Sequence, residues 1–461
     1  MTTLFDYLTK DGRKVHSLRV GAPSEHLRMK CGELIHKATL ALHTPENYPQ
    51  LFQYGPHSGS LAAKSELTKF LTEEYGETVN CDDIWFTAGA SQGLACIGNL
   101  LFQPKTVAFV EEPTYFLALK ALSDDFGMNL VGVPTDQDGL IVDELEKLME
   151  EHLQTLPVIT ERNPFSGLLY CIPTFNNPTG SVLSVTRCKQ LIKLLRKYNV
   201  LAFCDDVYNL LSYDGEKPPF KVPPRLFSFD NKADPDYKGN VISNGTFSKL
   251  LGPGLRLGWM EAPEHVRKIL RTSGYATSGG CFNHYTSCVV TMAIQMGLVK
   301  EHVAYARELY KSQLNTLCSA MDKYFPRAIK YTKPQGGYFV WVVLPPEVDC
   351  DKLYDICFNK YAVDFNKGSR CFCKGQYKNC MRLSFAFLDS PTLEHCLFQM
   401  LIFERVSIVI LCTLKTHKVF YWVFKSLILS ELVMRVGNPD VSLALGKIKH
   451  TVLQGNNFGH I

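Results

Sequence analysis

The residue most suited to chemistry in this chain is a lysine that follows directly on an apolar strand. Lys249 closes the run Ser243-Asn-Gly-Thr-Phe-Ser-Lys249. A lysine drawn out of water near other cations loses its proton more readily, and its free amine condenses with an aldehyde. Asp205 ends the apolar run Val200-Leu-Ala-Phe-Cys204. A carboxylate there is costly unless something pairs with it, and Asp206 is its rival in the doublet. Arg382 lies inside Met381-Arg-Leu-Ser-Phe385. A guanidinium in an apolar run finds its best use in gripping a carboxylate with both arms of the fork. Thr87-Ala-Gly-Ala-Ser91-Gln92 sits between a strand pattern and a helix pattern, so its backbone amides point at an anion with the helix dipole behind them. Gly89 allows that anion close approach. Asn177-Pro-Thr-Gly180 by itself reads as a plain turn.

These residues need elements to position them. Ser60 to Tyr75 is amphipathic and Gly76 stops it. Ile84–Thr87 reads as a strand, about Gln92–Phe102 as a helix, Thr106–Val110 as a strand, 115–126 as a helix and Asn129–Val133 as a strand. The alternation repeats with strand Leu168–Ile172, a helix capped by Ser184 and running to Tyr198, and strand Val200–Cys204. Val241–Asn244 and Leu255–Met260 read as further strands. Continuous apolar strands alternating with helices predict an α/β protein, its mostly parallel sheet covered on both faces. Ligands bind outside the C-terminal strand ends of such sheets, and the polar motifs fall there. The segment 285–330 reads mainly as helix, and Tyr338–Val343 and Met381–Phe385 as strands of a second layer.

Asn177-Pro-Thr-Gly180, Asp205-Asp-Val-Tyr208, Ser243 to Lys249 and Arg256-Leu-Gly-Trp259 occur in that order. Over about residues 20–395 the set resembles the class I/II aminotransferases, the fold-type-I pyridoxal-phosphate enzymes, nearest the 2-aminoadipate and kynurenine aminotransferase branch. The resemblance implies a large domain with a mixed, mostly parallel sheet (51–285) and a smaller α+β domain (1–50 with 286–398). It implies pyridoxal 5′-phosphate bound as a Schiff base on Lys249. Asp205 is then the partner of the pyridine nitrogen, selected over Asp206 by its spacing to Tyr208. Tyr208 and Asn177 contact the ring oxygen, and Tyr115 stacks on the ring. Ala90, Ser91, Thr246, Ser248 and Arg256 hold the phosphate, with Ala90 contributing backbone only. Tyr54 reaches the phosphate of a partner subunit, which implies a homodimer with a shared active site. Arg382, with Asn177, takes the substrate α-carboxylate, and Gly336 and Gly21 line the substrate pocket.

The implied activity moves the amino group of an α-amino acid to a 2-oxo acid, 2-oxoglutarate first among them. Lyase or synthase chemistry on the same fold, such as C–S cleavage, is the alternative, and a non-catalytic binding protein is a third. Composition agrees with a packed protein: 46% of the 461 residues are apolar and the formal charge is +4, so neither a disordered chain nor a nucleic-acid binder is expected. The 16 cysteines are scattered through apolar runs without a CxxC pair, which predicts reduced core thiols and no metal site. The first residues lack an apolar leader, which reads as cytoplasmic, with a mitochondrial setting as the alternative. Residues 399–461 form an atypical apolar tail. Lys415, Lys418 and Lys425 interrupt it, whereas a membrane span needs about 20 consecutive apolar residues. An added helix or an alternative chain end is expected there, without a membrane span.

Overall fold

The computed structural model describes residues 7–154 and 159–400. Most of the apolar tail therefore lies outside the described residues. No helix among the described residues is long and apolar enough to cross a membrane.

The chain opens with a two-residue strand, β1 (His16–Ser17). The main sheet follows, built from β2 (Ile84–Thr87), β3 (Val107–Glu112), β4 (Asn129–Asp136), β5 (Gly139–Leu140), β6 (Gly167–Cys171), β7 (Val200–Cys204), β8 (Val241–Thr246) and β9 (Gly258–Glu261). Their order is β2-β9-β8-β7-β6-β3-β4-β5. The central pairs β8–β7, β7–β6, β6–β3 and β3–β4 are parallel, while β9 runs antiparallel to both its neighbours. Every residue of β6, β7 and β8 is buried. Apolar residues therefore occupy both faces of β6 and β7, which explains runs without alternation, while β8 ends in the buried polar Ser243, Asn244 and Thr246.

Helices cover the sheet. Helix Leu61–Tyr75 starts at Ser60, whose hydroxyl accepts from the Ala63 amide at 3.1 Å, and stops at Gly76 with φ +68°. Helix Val185–Tyr198 starts at Ser184 and ends where Asn199 turns left-handed at φ +52°. With helix Val142–His152 it packs against one face, enclosing Leu145, Leu169, Leu191, Leu195, Ala202 and Cys204. Cys171 and Cys204, opposite each other on β6 and β7, are buried thiols 3.9 Å apart at sulfur.

A second sheet combines β10 (Lys330–Tyr331), β11 (Phe339–Val343), β13 (Asn366–Lys367) and β14 (Cys380–Ser384) in the order β10-β11-β14-β13, antiparallel throughout. The remaining strand, β12 (Val363–Asp364), pairs in parallel with β1. The Leu18 amide donates to the Asp364 carbonyl and the Ser384 amide to the Leu18 carbonyl, at 2.9 and 2.7 Å. The N-terminal segment is thereby stitched to the last third of the chain.

Four expectations change. The helix expected over 115–126 is a short α-helix, Phe116–Lys120, followed by one π turn, Ala121–Asp125. The strand expected from Leu255 begins at Gly258, because Pro253–Leu255 form a 3₁₀ turn and Arg256 takes a left-handed conformation. The helix expected from Gln92 begins two residues earlier, at Ala90. The helical segment after residue 285 breaks at Gly297, whose φ of +75° an L side chain resists.

Leu169 is fully buried at the centre of the main sheet. Its replacement, Leu169→Ala, is expected to lower stability by about 2–5 kcal/mol, read from the shift of the urea unfolding midpoint.

Candidate active site

The C-terminal ends of β2, β3, β6, β7 and β8 open onto one cavity of about 620 Å³, lined among others by Ala90, Tyr115, Asn177, Asp205, Lys249 and Arg382. Residues far apart in sequence meet there because the parallel strands all end on the same edge.

Asp205 projects from the end of β7. Tyr170 on β6 donates its hydroxyl to Oδ2 at 2.7 Å, and Asn244 on β8 donates its amide to Oδ1 at 3.2 Å. Burial pushes the Asp205 carboxyl upward; these two donors and the nearby lysine pull it back toward the ionised form. Asp206 turns away from the cavity and accepts from the Ser243 hydroxyl at 2.5 Å. Successive residues at a strand end face opposite sides, so the doublet divides into one carboxylate for the cavity and one for the core.

Lys249 reaches into the cavity from the turn after β8. Its ammonium donates to the Gly21 carbonyl at 2.7 Å and lies 5.9 Å from the Tyr338 ring centroid. Its backbone carbonyl accepts from the Tyr338 hydroxyl at 2.7 Å, which anchors the stem. Removal from water lowers the Lys249 pKa to about 8; Arg382 and Arg256 push the same way and Asp205 opposes.

An anion cradle forms at the start of helix Ala90–Leu101. Gly89 precedes it with φ +93°, and a Cβ there would sit 2.7 Å from an Arg256 guanidinium nitrogen. The glycine is needed both for its conformation and for that approach. Thr246 and Ser248 share a hydrogen bond of 3.0 Å between hydroxyls, and Arg256 donates to the Ser248 hydroxyl at 3.4 Å and the Ala88 carbonyl at 3.2 Å. Arg256 is held in its left-handed conformation (φ +47°) by Asn283, which donates to the Leu255 carbonyl at 2.9 Å and also to the Arg256 carbonyl.

Arg382 is buried on β14. It donates to the Asn177 side-chain carbonyl at 2.8 Å and the Arg19 backbone carbonyl at 2.6 Å, and its guanidinium lies 3.8 Å from the Phe339 ring centroid. Its Nε is buried and has no hydrogen-bond partner among the described residues. A buried N–H left unpaired is costly, and its vacant valence suits an acceptor. The Asn177 loop is fixed by Glu111, whose carboxylate accepts from the Ile172 amide at 2.7 Å and the Asn176 side chain at 2.8 Å. Burial raises the Glu111 pKa to about 7.

Tyr208 and Tyr115 both line the cavity, and burial raises both phenols, Tyr115 to about 12. Ser91, Thr246, Ser248 and Gly21 line it too. Two expected residues do not. Tyr54 is 77% exposed on the surface of this chain, away from its own cavity. Gly336 packs where a Cβ would collide with the Phe175 ring and the Leu211 carbonyl. Tyr170, Asn244, Glu111 and Asn283 were not singled out from the sequence. Asn244 stood inside a quoted motif, and a polar residue in an apolar strand was its signal; the others carried none.

A family model described as aminotransferase class I and II matches residues 30–398. The aromatic-amino-acid aminotransferase 1 of Thermococcus litoralis is 32% identical over 345 residues, 75% of this chain and 78% of that protein. A 2-aminoadipate transaminase of Thermus thermophilus is 30% identical over 341 residues, 73% and 77% of the two chains. The crystal structure of Pyrococcus horikoshii kynurenine aminotransferase matches with a TM-score of 0.72 at 30% identity, covering 84% of this chain and 90% of that one.

The environment of Lys249 has a consequence in solution. In cofactor-free protein, the rate at which this lysine condenses with an aldehyde should rise with pH and level off around a midpoint near 8. A midpoint at the ordinary 10.5 would contradict the desolvation assigned to it.

Proposed function

The chain belongs to the class I and II aminotransferases, and on that premise we propose how its cavity carries out transamination between an α-amino acid and a 2-oxo acid. The observation that carries the reading is the joint placement of a desolvated lysine, a buried carboxylate and an anion cradle in one cavity. These residues fit pyridoxal 5′-phosphate. The phosphate matches the amides at Ala90 and Ser91 with Thr246, Ser248 and Arg256, and the pyridine nitrogen matches Asp205. When bound, that cofactor supplies an aldehyde carbon and an electron-withdrawing ring.

The chain's own residues do the rest. Arg382 and Asn177 orient the substrate through its α-carboxylate, with the unpartnered Nε of Arg382 ready to donate. Lys249 Nζ would take the proton from the substrate α-carbon and hold it for return on the far side of the substrate nitrogen. A pKa near 8 lets it act in both directions at neutral pH. Asp205 holds a negative charge opposite a protonated ring nitrogen, and Tyr170 and Asn244 keep it ionised and aimed. Tyr208 and Asn177 would offer hydrogen bonds to the cofactor's ring oxygen, and Tyr115 would cover a ring face. 2-Oxoglutarate is the acceptor this reading favours. The relatives named above carry aminotransferase names, and nothing in the cavity favours lyase chemistry instead.

The reading takes residues 51–285 as a large domain and 1–50 with 286–398 as a small one. A homodimer completes the reading. Tyr54 stands on a surface that also exposes Phe52 and Tyr285, whose rings stack 5.9 Å apart between centroids. An apolar aromatic patch of this kind suits a second copy of the chain.

Purified protein supplied with an amino-donor panel and 2-oxoglutarate should form glutamate, and Lys249→Ala should lose both visible cofactor absorbance and about a thousandfold or more of turnover. Free ammonia in place of glutamate would count against transamination. Mixing Tyr54→Ala and Lys249→Ala subunits should restore activity above that of either parent, because hybrid dimers contain one intact site. No gain in exchange-competent mixtures would remove Tyr54 from the partner's site.

A further inference from the structure

Two fully buried phenols stand outside the residues that line the cavity, Tyr338 at the entry to β11 and Tyr310 on helix Leu298–Tyr324. Their hydroxyl oxygens lie 3.0 Å apart. Tyr338 also donates to the Lys249 backbone carbonyl at 2.7 Å. A phenol has one proton, and a carbonyl can only accept. Tyr338 therefore spends its proton on Lys249, and Tyr310 must be the donor between the two tyrosines. The bonds run one way, from Tyr310 through Tyr338 to the lysine carbonyl.

Packing alone does not call for these hydroxyls. Phenylalanine would fill nearly the same volume, and a buried hydroxyl is costly unless it is bonded. Burial pushes both phenols upward, so both stay protonated through the neutral range and the direction of the bonds holds. The backbone on either side of the Tyr338 ring is itself fastened. The Gly337 amide donates to the Leu211 carbonyl at 2.9 Å, and the Phe385 amide donates to the Tyr338 carbonyl at 3.1 Å. Tyr338 is thus a fixed point against which the lysine is set.

The next residue bears on the other end of the lysine. Phe339 packs against Gly21, where a Cβ would stand 2.5 Å from the ring, and the Gly21 carbonyl receives the Lys249 ammonium at 2.7 Å. The Arg382 guanidinium carbon lies 3.8 Å from the centroid of the same Phe339 ring. Two adjacent residues therefore locate the stem of Lys249, the acceptor of its ammonium and the arginine read above as the α-carboxylate site. A misplacement of about 1 Å between reacting atoms can cost about a hundredfold in rate.

We propose that Tyr338, oriented by Tyr310, is a positioning residue that sets how far Lys249 reaches into the cavity and holds its amine in line with the substrate that Arg382 grips. The proposal rests on the transaminase reading for the role of Lys249. Without the Tyr338 hydroxyl, the buried Lys249 carbonyl loses this donor. Its segment then shifts toward water to recover one, and the amine follows out of its desolvated position.

The test uses the full chain as Tyr338→Phe, Tyr310→Phe and Tyr331→Phe. Tyr331 is the control, because its hydroxyl bonds Asp322 and the Cys318 carbonyl in the same sheet, outside the cavity lining. The first readout is the pH midpoint of the rate at which cofactor-free protein condenses with pyridoxal 5′-phosphate, followed by visible absorbance. Tyr338→Phe should raise the wild-type midpoint of about 8 by about half a pH unit or more, the order of one hydrogen bond's net worth. Tyr310→Phe should raise it by less, and Tyr331→Phe should leave it in place. The second readout is steady-state kinetics of the cofactor-loaded proteins. Tyr338→Phe should lower kcat about tenfold or more, while the KM for the amino donor stays within about twofold. If Tyr338→Phe does not fold, Tyr310→Phe decides, since it keeps the bond to Lys249 and removes only the group that orients it. An unmoved midpoint in Tyr338→Phe and Tyr310→Phe, an equal rise in Tyr331→Phe, or a loss confined to KM would each overturn the proposal. A midpoint that moves as expected in a protein that transaminates nothing would sink the transaminase reading and leave the anchor standing.

Discussion

A carboxylate has to stay charged at the buried end of a central strand. Asp205 sits where burial alone would favour its neutral acid, and a neutral acid could not serve the ring-nitrogen role proposed for it. The structure meets this demand from both sides. Tyr170 comes from the preceding parallel strand and Asn244 from the following one. Their reach depends on the register that sets Cys171 opposite Cys204 and Cys204 opposite Ser243. A slip of one residue would turn Asp206 to the cavity and Asp205 to the core. On the function proposed above, sheet register and cofactor chemistry are one constraint.

The second constraint is repulsion among cations. Lys249, Arg256 and Arg382 converge on one cavity, and bringing like charges out of water together is unfavourable. Each guanidinium is therefore held by carbonyls: Ala88 and Pro253 for Arg256, Asn177 and Arg19 for Arg382. The lysine has the Gly21 carbonyl, and its pKa is lowered chiefly by burial, with Arg382 and Arg256 pushing the same way. That is useful chemically, since a lysine that is easily deprotonated is a better nucleophile and base. The same surplus of positive charge prepares the cavity for the anions that its substrates and cofactor carry.

The site also joins distant parts of the chain. Gly21 and Arg19 reach Lys249 and Arg382 only because β1 pairs with β12 and Leu18 bridges Asp364 and Ser384. The Phe339 ring lies under Arg382 and against Gly21, where a Cβ would stand 2.5 Å from it. Glu112 and Thr114 extend the same principle across the mouth by fixing the turn that carries Arg370. The two sheets are thus coupled through the groups that hold ligand, and movement of one against the other would alter the cavity before it altered either core.

What the amino-acid order determined by itself was the alternation of buried strands and capped helices, and with it the edge where polar residues collect. Ser60, Ser184 and Gly76 act through contacts within a few residues, so their roles were legible locally. Lys249 and Asp205 were legible because an unusual residue type stands at the end of an apolar strand, whereas Asn177 and Arg256 stood out only through the family resemblance of their motifs. The tertiary structure alone decided which donors keep Asp205 charged, that Glu111 holds the Asn177 loop and that Asn283 holds Arg256. It also packed Gly336 against Phe175 and left Arg370 without an acid among the described residues. Each of these depends on an atom that arrives from a remote segment. Hydrogen bonds and desolvation act over a few ångströms in space, and the spacing of residues along a chain carries no record of that distance until the chain has folded.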